Sequence, residues 1–500
     1  MDFLNLFVAV PVLTVIGILF TKDLKGSRMV SAIGMGIQLM LAIYLVLYYL
    51  SVQGAGDLHN MIFMADYTWF APLNIHYTIG VDGIAVAMIA LTGIVVFAGI
   101  FASWKMEYLP REFFISLIIL ATGVFGFFIS LDLFTILLFY ELAVIPMYLL
   151  IGIWGTGPKE RSAMKLTIML MAGSALLVVG LLGIYFNSAA PGGQYTFNMI
   201  EISKVHIPIA AQLFFFPLTF VGFGVLGALF PLHTWSPDGH ASAPTAVSML
   251  HAGVLMKLGA YGCFRVAMYL MPQAAHQLAW IFIILTSISV VYGAFSAIMQ
   301  KDLKFINAYS SVSHVGLILF ALLMMNTTAI DGAILQMISH GLMTALFFAL
   351  IGMVYGRTHT RNIDEMGGLL KVIPFLGVMY IIAGFASLGL PGFSGFVAEM
   401  TIFVGAFSHS DMFHRVATIV VVSSIVVTAV YILRVVGIML LGPLKNKEHA
   451  KLTDATWYER VSTITLLIAI AGIGILPLWL SDTIMGSLHP IMERITMFLH

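Results

Sequence analysis

The run PLHTWSPDGHASAPTAVSMLHAGVLMKLG, residues 231–259, decides how the rest of this chain is read. Long apolar segments flank it, and it carries Pro231, Pro237, Pro244, His233, Asp238, His240, His251 and Lys257. Lys257 lies 13 residues past Pro244, which is ~20 Å into the following helix at 1.5 Å per residue. In a helix that crosses a bilayer, this depth puts an ammonium group near the midplane. A charge there costs roughly 2.5–3.5 kcal/mol even on the lenient insertion scale. Other buried groups have to offset that cost.

Composition places the helix in a bilayer. Hydrophobic residues make up 60% of the 500 and charged residues 9%, with a mean hydropathy of +1.02; soluble domains carry about 25% charge. Formal net charge is zero, and no basic block suggests nucleic acid. The one cysteine, Cys263, excludes a disulfide framework or a cysteine-built zinc or iron–sulfur site. The first twenty residues have neither a basic start nor an A-x-A site and read as a first span, not a removed signal.

Apolar runs of span length recur near 3–20, 29–50, 83–104, 112–129, 131–153, 163–186, 210–232, 245–271, 277–299, 305–325, 330–355, 374–408, 414–441 and 460–480. The expectation is an all-α polytopic membrane protein of about fourteen spans. Run 374–408 is too long for one plain span and is interrupted at GLPGFSG, residues 389–395. Pro231 interrupts the seventh span in the same way, and matched interruptions point to inverted-repeat transport folds. Spans 4–8 and 9–13 are the expected units, with no residue identity read between them. This divides the chain into 1–111, a first half-unit 112–271, a second half-unit 277–441, and 442–500 with the last span and a surface amphipathic tail. Sixteen of the 23 lysines and arginines fall in connections on one side and three on the other. The rich side is therefore cytoplasmic and both termini face outward.

The remaining polar groups inside spans carry the chemistry. Glu141 sits ten residues into span 5, five before Pro146. It reads as a proton-carrying carboxyl, the plain alternative being a neutral acid held by one hydrogen bond. Asp132, nine residues earlier, suits a helix cap as well as proton handling. Lys257 can gain and lose a proton or form a structural ion pair. His251, alone, reads as a satisfied interior histidine. Asn307, Ser310, Ser311 and His314 form a polar stripe on span 10, and Gln336, His340 and Thr344 form another on span 11. Two such stripes favour a hydrated proton relay over interhelical glue. Glu399, four residues after the GLPGFSG break, reads as a proton entry or exit group. Gly222-Phe-Gly-Val-Leu-Gly227 matches a dinucleotide fingerprint but lies inside an apolar helix with no preceding strand. No metal-spaced cluster is read.

FYELAVIPMYLLIGIWG at 139–155, the opening run extended to Gly262, AYSSVSHVGLILF at 308–320, ISHGLMTALFFALIG at 338–352, LPGFSGFVAEM at 390–400 and GVDG at 80–83 together resemble the antiporter-like subunits of respiratory complex I. The likeness covers spans 3 to 13 and is greatest to the chain M branch, the counterpart of mitochondrial subunit 4. It implies a proton-translocating subunit in a bacterial inner membrane, packed against neighbouring antiporter-like chains and other membrane-arm subunits. It also implies no cofactor in this chain; NADH or another donor, flavin, iron–sulfur clusters and quinone belong to partner subunits. By the resemblance, Glu141, Lys257, His314, His340 and Glu399 match the family's proton axis. One departure stands out: the family's seventh-helix lysine, partner of the helix-5 glutamate, is here Leu226. Lys165, His233 and His251 are candidate substitutes, with Lys165 expected to reach Glu141. The alternatives are a subunit of a multisubunit cation/proton antiporter or membrane-bound hydrogenase, or a scaffold that no longer pumps.

Overall fold

In a bilayer each backbone N–H and C=O is satisfied inside its own segment, so long apolar runs become helices. The computed structural model describes residues 2–54, 61–189 and 193–497, and it is nearly all helical. Twelve helices are long and apolar enough to cross a membrane. They coincide with twelve of the expected spans, among them span 4 (Pro110–Ile129), span 5 (Leu133–Trp154), span 6 (Lys159–Phe186), span 8 (Thr245–Met268), span 9 (Pro272–Met299), span 10 (Leu303–Leu323), span 11 (Thr327–Thr358) and span 13 (Met412–Leu440). The other two positions hold shorter apolar helices: Phe3–Leu19, and the pair Pro374–Ser387 and Ser394–Phe407 that forms span 12. Span 7 is Ile209–Leu226, an unwound stretch over 227–234 that contains Pro231, and a half-helix Trp235–Ser242.

Two features were not expected. Strand β1 (Ile62–Phe70) pairs antiparallel with β2 (Ile75–Val81), with Tyr67 opposite Tyr77. Aromatic and β-branched residues fill both strands, and Asn74, left-handed at φ +50°, closes the turn. The hairpin ties to the junction of spans 4 and 5 through Leu131 N–H donating to the Thr78 carbonyl at 2.9 Å. The tail helix Leu478–Met497 was expected on a surface. It instead buries Leu480, Ile484, Leu488, Ile491 and Ile495, and its Ser487 bonds Tyr49 and the Gly83 amide.

Spans 4–5 and 9–10 share contacts at a constant offset of 170 residues. A Cβ on Gly123 would stand 2.5 Å from Ala143 N and 2.8 Å from the Phe139 carbonyl. A Cβ on Gly293 would stand 2.7 Å from Ser313 N and 3.0 Å from the Tyr309 carbonyl. Asp132 caps span 5 through the amides of Phe134 and Thr135, and Asp302 caps span 10 through the Lys304 amide. Asp132 bridges to Asn198 and Asp302 to Asn362. In each case the next leucine, Leu133 or Leu303, donates to the residue before that asparagine, at 2.9 and 3.0 Å.

Candidate functional site

Broken helices bring backbone ends and polar side chains into the bundle. The half-helix Trp235–Ser242 ends with its partial negative charge facing two cations. Arg361 donates to the Ala241 carbonyl at 2.7 Å, and Lys304 to the Ala243 carbonyl at 2.5 Å. Span 8 follows, and two wider π-helical stretches, His251–Leu255 and Cys263–Met268, bracket Lys257. Such bulges inside α-helices concentrate at functional positions.

Lys257 has no solvent-accessible surface. Its ammonium donates to the Ala252 carbonyl and to His340 Nδ1 at 2.8 Å. With Lys257 charged, Nδ1 of His340 is the acceptor and the imidazole proton sits on Nε2. The His340 and His314 rings stack with centroids 5.2 Å apart and planes 28° apart. His314 Nδ1 lies 3.1 Å from Gln336 Nε2 and 3.6 Å from Glu399 Oε1. The Glu399 carboxylate presses on Gly389, whose Cβ would be 2.7 Å from Oε2 and whose φ is +62°. Glycine is therefore required there twice over. A cavity of about 10 Å³, the size of one water, is lined by Ser313, His314, Ser387, Glu399, Ser424 and Thr428. The stripes on spans 10 and 11 also meet: Thr344 Oγ1 is 3.3 Å from Asn307 Nδ2 and 3.2 Å from Ser311 Oγ. Four expected residues, Lys257, His340, His314 and Glu399, thus form one buried row from span 8 through spans 11 and 10 to span 12.

The other candidates lie apart from this row. Lys165 does not reach Glu141; its ammonium pairs with Asp238 at 2.7 Å, holding the half-helix of span 7 to span 6. A carboxylate on a broken helix end was the nearer and stronger partner, and helical spacing along span 6 could not reveal it. Among the described residues, Glu141 has no ion pair or hydrogen bond, and it stays half-exposed on the stripe of Leu138, Ile145, Tyr148 and Leu149, all exposed. Leu226 is buried. Asp132 is fully buried and acts as a cap, with Oδ1 at 2.9 and 3.2 Å from two amides. His233 sits in the span 7 break against Phe230 and Tyr292. His251 stacks at 4.0 Å on His240, and neither ring nitrogen of either histidine has a protein partner. The expectation of a satisfied His251 is thereby corrected: its neighbours are rings, which offer no acceptor in plane.

Sequence reading missed the buried Asp82–Arg265 pair at 2.5 Å. Lys257, Tyr261 and Arg265 recur every four residues along span 8. The spacing was the available signal. The pair borders a cavity of about 270 Å³ with Tyr269 and Ser487, on the face opposite the basic connections.

Comparison with known proteins agrees with this geometry. The family described as "NADH:quinone oxidoreductase/Mrp antiporter, TM" matches residues 130–428. NAD(P)H-quinone oxidoreductase chain 4 2 of Trichodesmium erythraeum (strain IMS101) is 33% identical over 506 residues, covering 95% of this chain and 89% of its own. A chain of respiratory complex I from Thermus thermophilus with bound NADH has the same fold, with TM-score 0.89 at 24% identity over 99% of this chain and 100% of that one. A chain of the Mrp complex from Dietzia sp. DQ12-45-1b shares the fold at TM-score 0.83 and 19% identity, covering 98% of each.

Proposed function

The chain belongs to the NADH:quinone oxidoreductase/Mrp antiporter transmembrane family, and on that premise we propose that it is the proton-translocating membrane subunit of a complex I-type quinone oxidoreductase. The observation that carries this reading is the buried row Lys257–His340–His314–Glu399, in which the two imidazoles meet by ring stacking. A contact of 2.8 Å is within proton-transfer reach; the 3.6 Å step to Glu399 is closed by the water-sized space beside it. The proton passes from Lys257 through the two imidazoles to Glu399 and leaves on the face opposite the basic connections. That face is the outer side of a bacterial cell membrane, with both termini on it. The contacts repeated at 170 residues support reading spans 4–8 and 9–13 as two units of opposite direction. Glu141, with Leu226 where the family has a lysine, takes its counter-charge from a neighbouring membrane-arm subunit across the exposed apolar stripe. Electron transfer, with its donor, flavin, iron–sulfur clusters and quinone, takes place in partner subunits.

An antiporter subunit is the competing reading, since the Mrp chain shares the fold. The chain 4 relative, at 33% identity against 19%, favours the quinone oxidoreductase. The test is Glu399→Gln in the assembled complex, reconstituted in liposomes and assayed for protons moved per quinone reduced. A lowered ratio is expected; an unchanged ratio refutes the row as a proton route.

A further inference from the structure

The sequence reading found no metal-spaced cluster, yet the fold assembles one where two connections meet, that between spans 12 and 13 and that between spans 10 and 11. His409, Asp411 and His414 each offer a donor atom within 4.8 Å of the other two. They lie in H-S-D-M-F-H, residues 409–414, which joins the end of span 12 to the start of span 13. An aspartate capping a helix explains part of this. Asp411 accepts from the His414 amide at 3.0 Å, and its carboxylate lies 2.7 Å from His414 Nδ1. Capping does not explain His409. Its ring stacks on His414 with centroids 4.3 Å apart, and its Nε2 donates to the Met324 carbonyl at 2.9 Å, beside Asn326 Nδ2 at 3.1 Å. A donated Nε2 proton leaves Nδ1 as a lone pair pointing away from that carbonyl. Metal-binding histidines are oriented in this way, by a carbonyl on the other nitrogen.

We propose that His409, Asp411 and His414 form a binding site for a zinc-class divalent transition-metal ion on the face opposite the basic connections. Two imidazoles and a carboxylate with one open position match the ligand set of three-ligand zinc sites. Zinc ligands at ~2.0–2.1 Å from the ion stand about 3.3 Å apart, so donors that lie up to 4.8 Å apart close by at most about 1.5 Å on binding. The Asp411 side chain, half-exposed, is free to make that movement. The ion ties three elements: the end of span 12, the start of span 13 and, through His409 and Met324, the end of span 10. Glu399 lies on the half-helix Ser394–Phe407, eight residues before its end and ~12 Å from it by helical rise, and His409 follows two residues beyond that end. The water-sized space beside it is enclosed by spans 9, 10, 12 and 13, so spans 12 and 13 form part of its wall. A bound ion therefore clamps the seam through which Glu399 releases its proton and slows that release. This second half of the proposal rests on the reading of Glu399 as the outlet group.

The test uses the whole purified complex, equilibrated with buffered free zinc, in three forms: wild type, His409→Gln and the double variant His409→Gln/His414→Ala. Glutamine keeps a donor for the Met324 carbonyl, so span 10 stays anchored. Wild type is expected to hold one more equivalent of zinc than the double variant, with weaker retention in His409→Gln. X-ray absorption of the difference should show nitrogen and oxygen ligands at about 2.0–2.1 Å. Equal zinc content in all three forms overturns the site. In liposomes, external zinc should slow proton release at least tenfold more in wild type than in the double variant. Loss of the zinc equivalent with equal inhibition in both overturns the clamp and leaves the proton row untouched, since that row is judged by Glu399→Gln.

Discussion

Replacing His340 separates a relay from a strut. In the folded chain Lys257 has two acceptors, the Ala252 carbonyl and His340 Nδ1 at 2.8 Å. His340→Ala removes one and leaves a fully buried ammonium with a single partner. A hydrogen bond to a charged group is worth ~1.5–3 kcal/mol, so states with a charged Lys257 become about 10- to 150-fold rarer, at tenfold per ~1.4 kcal/mol. His340→Gln acts differently. Its amide oxygen accepts from Lys257, so the lysine keeps its second partner, but an amide does not carry a proton between Lys257 and His314. The assay is the complex in liposomes with an internal pH dye, read beside quinone reduction and repeated with a protonophore. Both variants are expected to lower proton uptake by at least tenfold in the coupled state. The protonophore should restore quinone reduction to near the wild-type rate, on the proposal that electron transfer takes place in partner subunits. Wild-type uptake in His340→Gln with loss only in His340→Ala would make the imidazole a positioning group and refute the relay.

Two further outcomes test the scaffold. Arg265→Leu should destabilise the subunit by ~3–5 kcal/mol, because Asp82 is left buried and unpaired. Arg265→Leu/Asp82→Asn, which keeps the cap on Ala85, should recover most of that in thermal unfolding of the detergent-solubilised complex. Gly123→Ala and Gly293→Ala should each cost ~1–3 kcal/mol in the same measurement, and by similar amounts, since each new methyl meets backbone at 2.5 and 2.7 Å.

Much of the fold was legible because a bilayer leaves few options. Apolar runs of span length have to be helices, and Pro231 and Gly389–Gly395 mark where two of them unwind. The row of Lys257, His314, His340 and Glu399 was legible for the same reason: a polar side chain deep in an apolar run stands out. What spacing gives is the face of one helix, never the neighbour it meets. Hence Lys165 was assigned to Glu141 when Asp238 was nearer, and the partner of Arg265, Asp82, was not found. The contacts shared at 170 residues were hidden for another reason: they rest on two glycines at helix contacts and two Asp-Leu caps, too few identities to see along the sequence. The hairpin was missed because residues 52–81 read as a hydrophilic connection, where no bilayer constrains the backbone to one structure.

Lys257 and Glu141 now present opposite solutions to one problem. The cost of a buried ammonium is met inside this chain, by the Ala252 carbonyl and the His340 imidazole. The carboxyl of Glu141 is met by nothing in this chain among the described residues. Where its partner lysine belongs, Leu226 packs into the core, and the nearest candidate, Lys165, is engaged elsewhere. An unpaired carboxylate in hydrocarbon is costly, yet Glu141 sits half-exposed on a stripe of apolar residues suited to another helix. A cation delivered there by a neighbouring subunit lowers that cost only when the assembly is complete. A charge change at that contact alters the field along the span 5 helix, which packs against the spans carrying the row. Glu141 and Lys257, both within 112–271, thus differ in where their charge is met: Lys257 inside this chain, Glu141 by no group among the described residues.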